Sequence, residues 1–238
     1  MPESFAFTLR VAVLELRGYR EWTESLGDDR EWLIQARQAE LYSLLSVEAA
    51  GVGALTVPFR HDVHLVLASS VPHESLEYLA ARAAEAAPTP VELRVGCGST
   101  PAEAVSRAAK GVKRCAGREA VVLAHIDINS ITRLDRADGL YSSYLRITRL
   151  YARLVEELSE YGAIVSYLGG DNMLAVLPFN REALDVLEYV VEEEDAKAGV
   201  GVAAKPREAA RLATKCLDAI RAGASESLLI CKTVEGFP

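Results

Sequence analysis

The sequence predicts an α+β protein in which one β-α-β-β-α-β unit occurs twice. Three observations carry this expectation. Two apolar, β-rich segments each lead into a long amphipathic stretch. Each stretch is followed by a hairpin pattern. Each hairpin is followed by a strand-then-helix pattern with matching residues, since Pro101 and Pro206, Glu103 and Glu208, and Lys110 and Lys215 all lie 105 residues apart. A unit of this order is ferredoxin-like, or palm-like, with helices on one face of its sheet.

In the first half, Leu9 to Leu16 reads as a strand and Asp29 to Ala49 as a helix. LTVPFRHDVHLVLA, from Leu55, reads as a hairpin, and LRVGCGSTPAEAVSRAAK, from Leu93, as a strand and helix. The second half repeats the order with Ala120 to Ile128 and then Tyr141 to Tyr161, where Leu145, Leu150, Leu154 and Leu158 recur near helical spacing. IVSYLGGDNMLAVLP, from Ile164, is its hairpin, and AGVGVAAKPREAARLATK, from Ala198, its last strand and helix. Gly51 and Gly162 are expected to stop the two long helices. The basic stretch Lys110 to Arg118 marks a boundary near Gly117, giving domains at residues 1–117 and 118–238.

Half of the 238 residues are hydrophobic, ample for a core. No apolar run approaches the roughly 20 residues that span a membrane. The N-terminus has an early acid, Glu3, and no signal pattern, so a soluble cytoplasmic protein without a membrane partner is expected. Cys97, Cys115, Cys216 and Cys231 form no CxxC pair, which predicts free, mostly buried thiols in a reducing compartment. A net charge of −8 disfavours nucleic acid as a partner. An acidic chain still binds a polyphosphate when metal ions stand between the two.

Two acids carry the chemistry. Asp127 sits in AHIDIN, on a strongly apolar strand where a carboxylate is costly unless its charge is compensated. Asp171 sits in LGGDN at a hairpin tip, where Gly169 and Gly170 allow a tight turn and close approach of a ligand. Palm-like topology makes the two strands neighbours, so the carboxylates converge at one sheet edge. Hard oxygen ligands suit Mg2+, and the Ile128 carbonyl adds one more. The plain alternative is an Asx turn at Asp171 and a buried cation paired with Asp127. Asp171 follows Asp127 by 44 residues, and Asp62 follows Gly18 by the same 44. On that register Gly18 stands where Asp127 maps, so the first half is expected to have a degenerate metal site, with Asp62 a candidate for substrate binding.

Further candidates surround these acids. His125 shares a strand face with Asp127 and is a candidate acid or base, or else a core histidine. Asn129 is placed on the same face as a donor to phosphate or ribose. Asn172 is placed to hold a base or orient a ligand. Arg221, near the end of the last helix, suits phosphate by its fork, against the plain reading of an exposed helix-end cation. Lys215 is a weaker candidate of the same kind. His61, Asp62 and His64 alternate in facing, which disfavours a three-ligand site.

AHIDINSIT (124–132), YLGGDN (167–172), KAGVGVA (197–203) and YREWTESLGDDREWLIQ (19–35) together resemble the archaeal GTP cyclohydrolase III family. The resemblance covers nearly the whole chain and implies a fold related to class III nucleotidyl cyclases and diguanylate cyclase domains. It implies that Asp127 and Asp171 are metal ligands. The implied reaction opens the guanine imidazole ring of GTP, giving a formylaminopyrimidine nucleotide monophosphate and two phosphates. Mg2+, a helping monovalent cation such as K+, and a homo-oligomer belong to the same expectation. The chain departs from the family at Arg17-Gly18-Tyr19, where relatives carry an acid, and at His61-Asp62-Val63, where they carry Phe-Asp-Asn. A nucleotidyl cyclase-like enzyme is an alternative, disfavoured because Asn172 stands where a diguanylate cyclase has an acid. A non-catalytic GTP sensor is the other.

Overall fold

The computed structural model describes residues 7–111, 115–225 and 227–236. Met1 to Ala6, part of the expected N-terminal reading, and three residues of the basic boundary stretch lie outside them. The first half runs β1 (Phe7–Leu16), α1 (Tyr19–Ser25), α2 (Glu31–Gly51), β2 (Leu55–Val57), β3 (Val63–Leu67), α3 (His73–Ala86), β4 (Val91–Gly98) and α4 (Pro101–Ala109). β5 (Arg118–Glu119) follows. The second half runs β6 (Val121–Ile128), α5 (Ile131–Asp138), α6 (Leu140–Ser159), β7 (Ile164–Gly169), β8 (Asn172–Leu177), α7 (Arg181–Glu193), β9 (Ala196–Ala203), α8 (Pro206–Arg221) and β10 (Leu228–Lys232).

The expected α+β class holds. The sheets are ordered β2-β3-β1-β4 and β10-β9-β6-β8-β7, so the four strands of each unit follow the same path. β10 adds a parallel edge to the second sheet, and β5 pairs in parallel with β1. Both are beyond the expected unit, as are the short helices α1 and α5.

Each sheet has two apolar faces, and this decides the layering. Leu14 and Val66 pack under α2 (Leu41, Leu45) and α3 (Leu76, Leu79). Val122, Ala124, Ile126 and Ile128 pack under α6 (Leu150, Leu154, Leu158) and α7 (Leu187, Val190). The remaining faces meet in one core that joins Leu9, Val11, Leu65 and Ala104 to Val121, Leu123, Val176 and Ala209. The contact is reciprocal. Ala102 N, in the first turn of α4, donates to Gly162 O, and Arg207 N, in the first turn of α8, donates to Gly53 O. Gly162 and Gly53 have positive φ and end the long helices. Gly53, rather than Gly51, is therefore the first-half counterpart, since Gly51 is the last residue of α2.

Glycines set how closely α4 and α8 lie on their sheets. A Cβ on Gly96 would stand 2.2 Å from Ala104 O and 2.3 Å from Ala108 N. One on Gly201 would stand 1.9 Å from Ala209 O and 2.5 Å from Ala213 N, the same contact one repeat later.

Strand register corrects the expected match of Gly18 with Asp127. Glu15 pairs with Val63 and Glu92. Asp127 pairs with Asn172 and Lys197. Glu15 is thus the counterpart of Asp127, while Asp62 keeps its match to Asp171. Gly18 corresponds to Ser130, both being left-handed residues that start α1 and α5.

The cysteine expectation is overturned too. Cys97 is bonded to Cys115 and Cys216 to Cys231. Cα separations of 5.3 and 5.9 Å lie within disulfide reach. Only the tertiary fold brings α8 and β10 together, so no local spacing shows the pairs. The bridges close loops of 18 and 15 residues. Reduction is expected to cost about 3 kcal/mol per bridge. Thermal melts with and without a thiol check this, and a Tm unchanged by full reduction would contradict it.

His64, on β3, is 3% exposed and its Nε2 has no hydrogen-bond partner among the described residues. Burial lowers its pKa from 6.5 to about 4, so it is folded as neutral imidazole. In the unfolded chain it takes up a proton near 6.5. The folded state therefore loses stability as pH falls from 6.5 towards 4, by about 3 kcal/mol in all. Unfolding free energies of His64→Leu and the parent, taken from urea melts across that window, should diverge by this amount, and a constant difference would count against it.

Candidate active site

Asp127 is the penultimate residue of β6, on the face that meets α8, and it is 6% exposed. Alternation puts His125 on the same face, as expected. Across the ladder stand Asn172 on one side and Lys197 on the other. Arg221 Nη2 donates to Asp127 Oδ2 at 3.0 Å, and Lys197 Nζ lies 3.5 Å from the same oxygen. Arg221 therefore enters the site instead of lying free at a helix end. Its other nitrogen donates to Asp218 at 3.0 Å, and the Asp127 carboxylate raises its pKa further. Lys215 is exposed.

The β7–β8 hairpin brings the second acid. Gly169 and Gly170 have φ of 112° and 60°, so the turn needs residues without a Cβ. Tyr167 Oη closes it by donating to Gly170 O at 2.8 Å. Burial raises the Asp171 pKa, and the neighbouring Asp127 charge raises it further. Asn172 Nδ2 donates to Asp171 Oδ1 at 3.2 Å. Asn172 Oδ1 lies 2.9 Å from His125 Nε2, and His125 Nδ1 lies 3.4 Å from Thr214 Oγ1 on α8. Asn129 is turned elsewhere: its Nδ2 donates to Asp195 Oδ1 at 3.0 Å.

Lys197 and Thr214 were not among the sequence candidates. Lys197 could have been found from the ladder, because it opposes Asp127 on β9. Thr214 has no local signal, since only packing of α8 on the sheet brings it to His125.

The two acids that meet at the turn, Asp127 and Asp171, offer oxygen donors. Among the described residues no group of three or more His, Cys, Asp or Glu side chains converges to hold a metal. Two adjacent carboxylates, one of them raised in pKa by burial and then by the other's charge, form a pair that a hard divalent cation relieves. The residues therefore fit Mg2+. Lys197 and Arg221 supply that relief in part, which is half of the plain alternative to a metal.

The first-half counterpart is closed by guanidinium groups. Arg17 lies 2.9 Å from Glu15 and 2.5 Å from Glu92. Arg94 lies 3.2 Å from Glu15 and 2.8 Å from Glu92. Asp62 is held by Arg60, at 3.0 Å from its Nε. The two register acids are both present there, each engaged by arginine.

Beside the second-half turn opens an aromatic slot of about 370 Å3 lined by Leu140, Ser143, Tyr144, Ile147, Tyr151 and Tyr167. Tyr144 is 59% exposed and Tyr167 43%. The first half reaches the other side of Tyr167 through Pro58 and Phe59.

A family model described as GTP cyclohydrolase III matches residues 11–233. GTP cyclohydrolase III of Aeropyrum pernix is 37% identical over 233 residues, covering 94% of this chain and 97% of the relative. The GTP cyclohydrolase III of Pyrobaculum islandicum is 38% identical over 229 residues, covering 93% and 99%. Among solved structures, the GGDEF domain of DgcB from Caulobacter crescentus in complex with c-di-GMP aligns with a TM-score of 0.38 at 18% identity, over 47% of this chain and 77% of that one. Diguanylate cyclase SiaD of Pseudomonas aeruginosa aligns with a TM-score of 0.41 at 22% identity, over 47% and 50%.

Proposed function

The chain belongs to the GTP cyclohydrolase III family, an enzyme family whose substrate is GTP, and from that premise we propose that the turn carrying Asp171 and the strand end carrying Asp127 form its catalytic centre. The observation that supports this is the pair of carboxylates brought together at one sheet edge with two cations at hand. Asp127, Asp171 and the Ile128 carbonyl would hold Mg2+. Bound there, Mg2+ supplies Lewis-acid polarisation of phosphate oxygens and a more acidic water. Arg221 and Lys197 bind phosphate oxygens, Arg221 through its planar fork. Gly169 and Gly170 let the triphosphate approach the hairpin backbone. The reaction in this reading opens the guanine imidazole ring and releases two phosphates, with a monovalent cation such as K+ as helper.

The guanine base stacks in the slot beside the turn, against Tyr144 and Tyr167. Base–aromatic stacking is worth about 1–3 kcal/mol and asks only for an exposed ring face. The first half shapes this side through Pro58 and Phe59. Asp62, held by Arg60, is the competing candidate for the guanine donors. Tyr144→Ala is expected to raise the KM for GTP about tenfold. Asp62→Ala should leave it within about twofold on the same energy scale. A larger effect at Asp62 than at Tyr144 would move the base to the first half.

Residues 1–117 and 118–238 are assigned as the two domains, the second carrying the metal and triphosphate. No described helix is long and apolar enough to cross a membrane. A cytoplasmic homo-oligomer that binds no nucleic acid completes the reading. Incubation with GTP and Mg2+ should release inorganic phosphate while the purine absorbance decays. A cyclic nucleotide or stable pyrophosphate as product would favour a cyclase, and no turnover at all a sensor.

A further inference from the structure

Four side chains form one hydrogen-bonded line from α8 to the turn: Thr214, His125, Asn172 and Asp171. We propose that Thr214 and His125 position the Asp171 carboxylate through Asn172, with His125 donating through its Nε2–H. This inference rests on Asp171 being a metal ligand.

The direction of the line follows from what each group is able to do. A carboxylate only accepts, so the Asn172 nitrogen faces Asp171 and its carbonyl oxygen is left for His125. That oxygen also only accepts, so the His125 Nε2 at 2.9 Å carries the hydrogen. Nδ1 lies 3.4 Å from the Thr214 hydroxyl, which donates or accepts as that nitrogen requires. Asn172 and the His125 Nε2 each have one role, set by the carboxylate at the end. The opposite amide orientation would turn the Asn172 oxygen on the carboxylate and break the line at its last step.

The fold explains why the line is held. Asp171 lies on a turn whose two glycines give it little stiffness of its own. Gly199 stands opposite His125 on β9. A Cβ there would meet Ala213 O at 2.1 Å and Leu217 N at 2.4 Å, so the α8 backbone occupies that space and brings Thr214 to the imidazole. The same helix delivers Arg221 to Asp127. One helix thus steadies both carboxylates, the first directly and the second through three side chains. His125 in this arrangement is a positioning residue, with its Nε2–H committed to Asn172.

The test uses the full chain. Magnesium binding is measured by calorimetry without nucleotide, and the His125 tautomer by nitrogen-15 NMR of histidine-labelled protein. The Nε2–H tautomer is expected, and the Nδ1–H tautomer would overturn the proposal. His125→Ala and Thr214→Val should each weaken Mg2+ binding about tenfold, the range for groups that orient a metal ligand. Thr214→Ser keeps the hydroxyl and His125→Gln keeps an N–H donor, so both should recover most of that loss. If Asp171→Asn abolishes Mg2+ binding while His125→Ala and Thr214→Val bind normally, the positioning line fails and the ligand assignment stands. If Asp171→Asn leaves Mg2+ binding intact, the ligand assignment itself fails and the proposal with it. His125→Gln as inactive as His125→Ala, with normal metal binding in both, would make His125 an acid or base and overturn the proposal.

Discussion

Asp127→Asn and Asp171→Asn are each expected to lower Mg2+-dependent GTP turnover about a thousandfold or more. Each removes one of two charged ligands, and charge stabilisation by a metal at the phosphates is worth several kcal/mol, about 1.4 kcal/mol per factor of ten. The two variants should differ in stability. Asp127 is the partner of both Arg221 and Lys197, so its neutralisation takes the carboxylate from Lys197 and leaves Arg221 with Asp218 alone, at a site that is 6% exposed. Among the described residues Asp171 forms no ion pair, and its pKa is already raised. Asp171→Asn should melt at or above the parent temperature and Asp127→Asn below it. Steady-state turnover and a thermal melt of each variant check the pair. Near-parent turnover in either would remove the metal from the account.

Gly201→Ala is expected to destabilise the fold by about 3 kcal/mol, near the upper range for overpacking. For a chain of this size that is a drop in Tm of about 10 °C. The added methyl would stand 1.9 Å from Ala209 O, and backbone on a 16-residue helix does not yield as a side chain would. Any relief must lift α8, which carries Thr214 and Arg221, so turnover should fall even where the fold survives. Gly223→Ala is the control on the helix side, because no described residue lies within 4 Å of its added carbon. Its cost comes only from a φ of 90°, about 1 kcal/mol. Equal melting of the two variants would contradict the close approach of α8 to β9.

What the sequence made legible is what is local. AHIDIN and LGGDN each announce a strand end or a turn, and the palm-like order then places the strands side by side. The register of the first half was not legible. A match of acids 44 residues apart assumes one constant offset, whereas the true separations are Glu15 to Asp127, Val63 to Asn172 and Glu92 to Lys197, which shrink from 112 to 109 to 105. The segments between strands differ in length, and side-chain chemistry alone does not show where they shorten. The corrected register keeps an acid pair in the first half, closed by Arg17, Arg94 and Arg60. Arg221, Lys197 and Thr214 reach the site through helix and ladder packing, and the disulfides through contacts of α8 with β10 and of β4 with the segment after α4. None of these has a signature at short range.

The first half and the second therefore present the same two acid positions in different electrostatic states. The second-half pair shares Lys197 and Arg221 at one of its two members. The first-half pair has arginine at both. A hard cation and a polyphosphate gain more at the pair left partly uncompensated. A structure of the chain with Mg2+ and a non-hydrolysable GTP analogue tests this most directly. The account predicts metal between Asp127 and Asp171 with the triphosphate over Gly169 and Gly170. Metal and triphosphate around Glu15 and Asp62, with Asp127 still paired to Arg221, would contradict it.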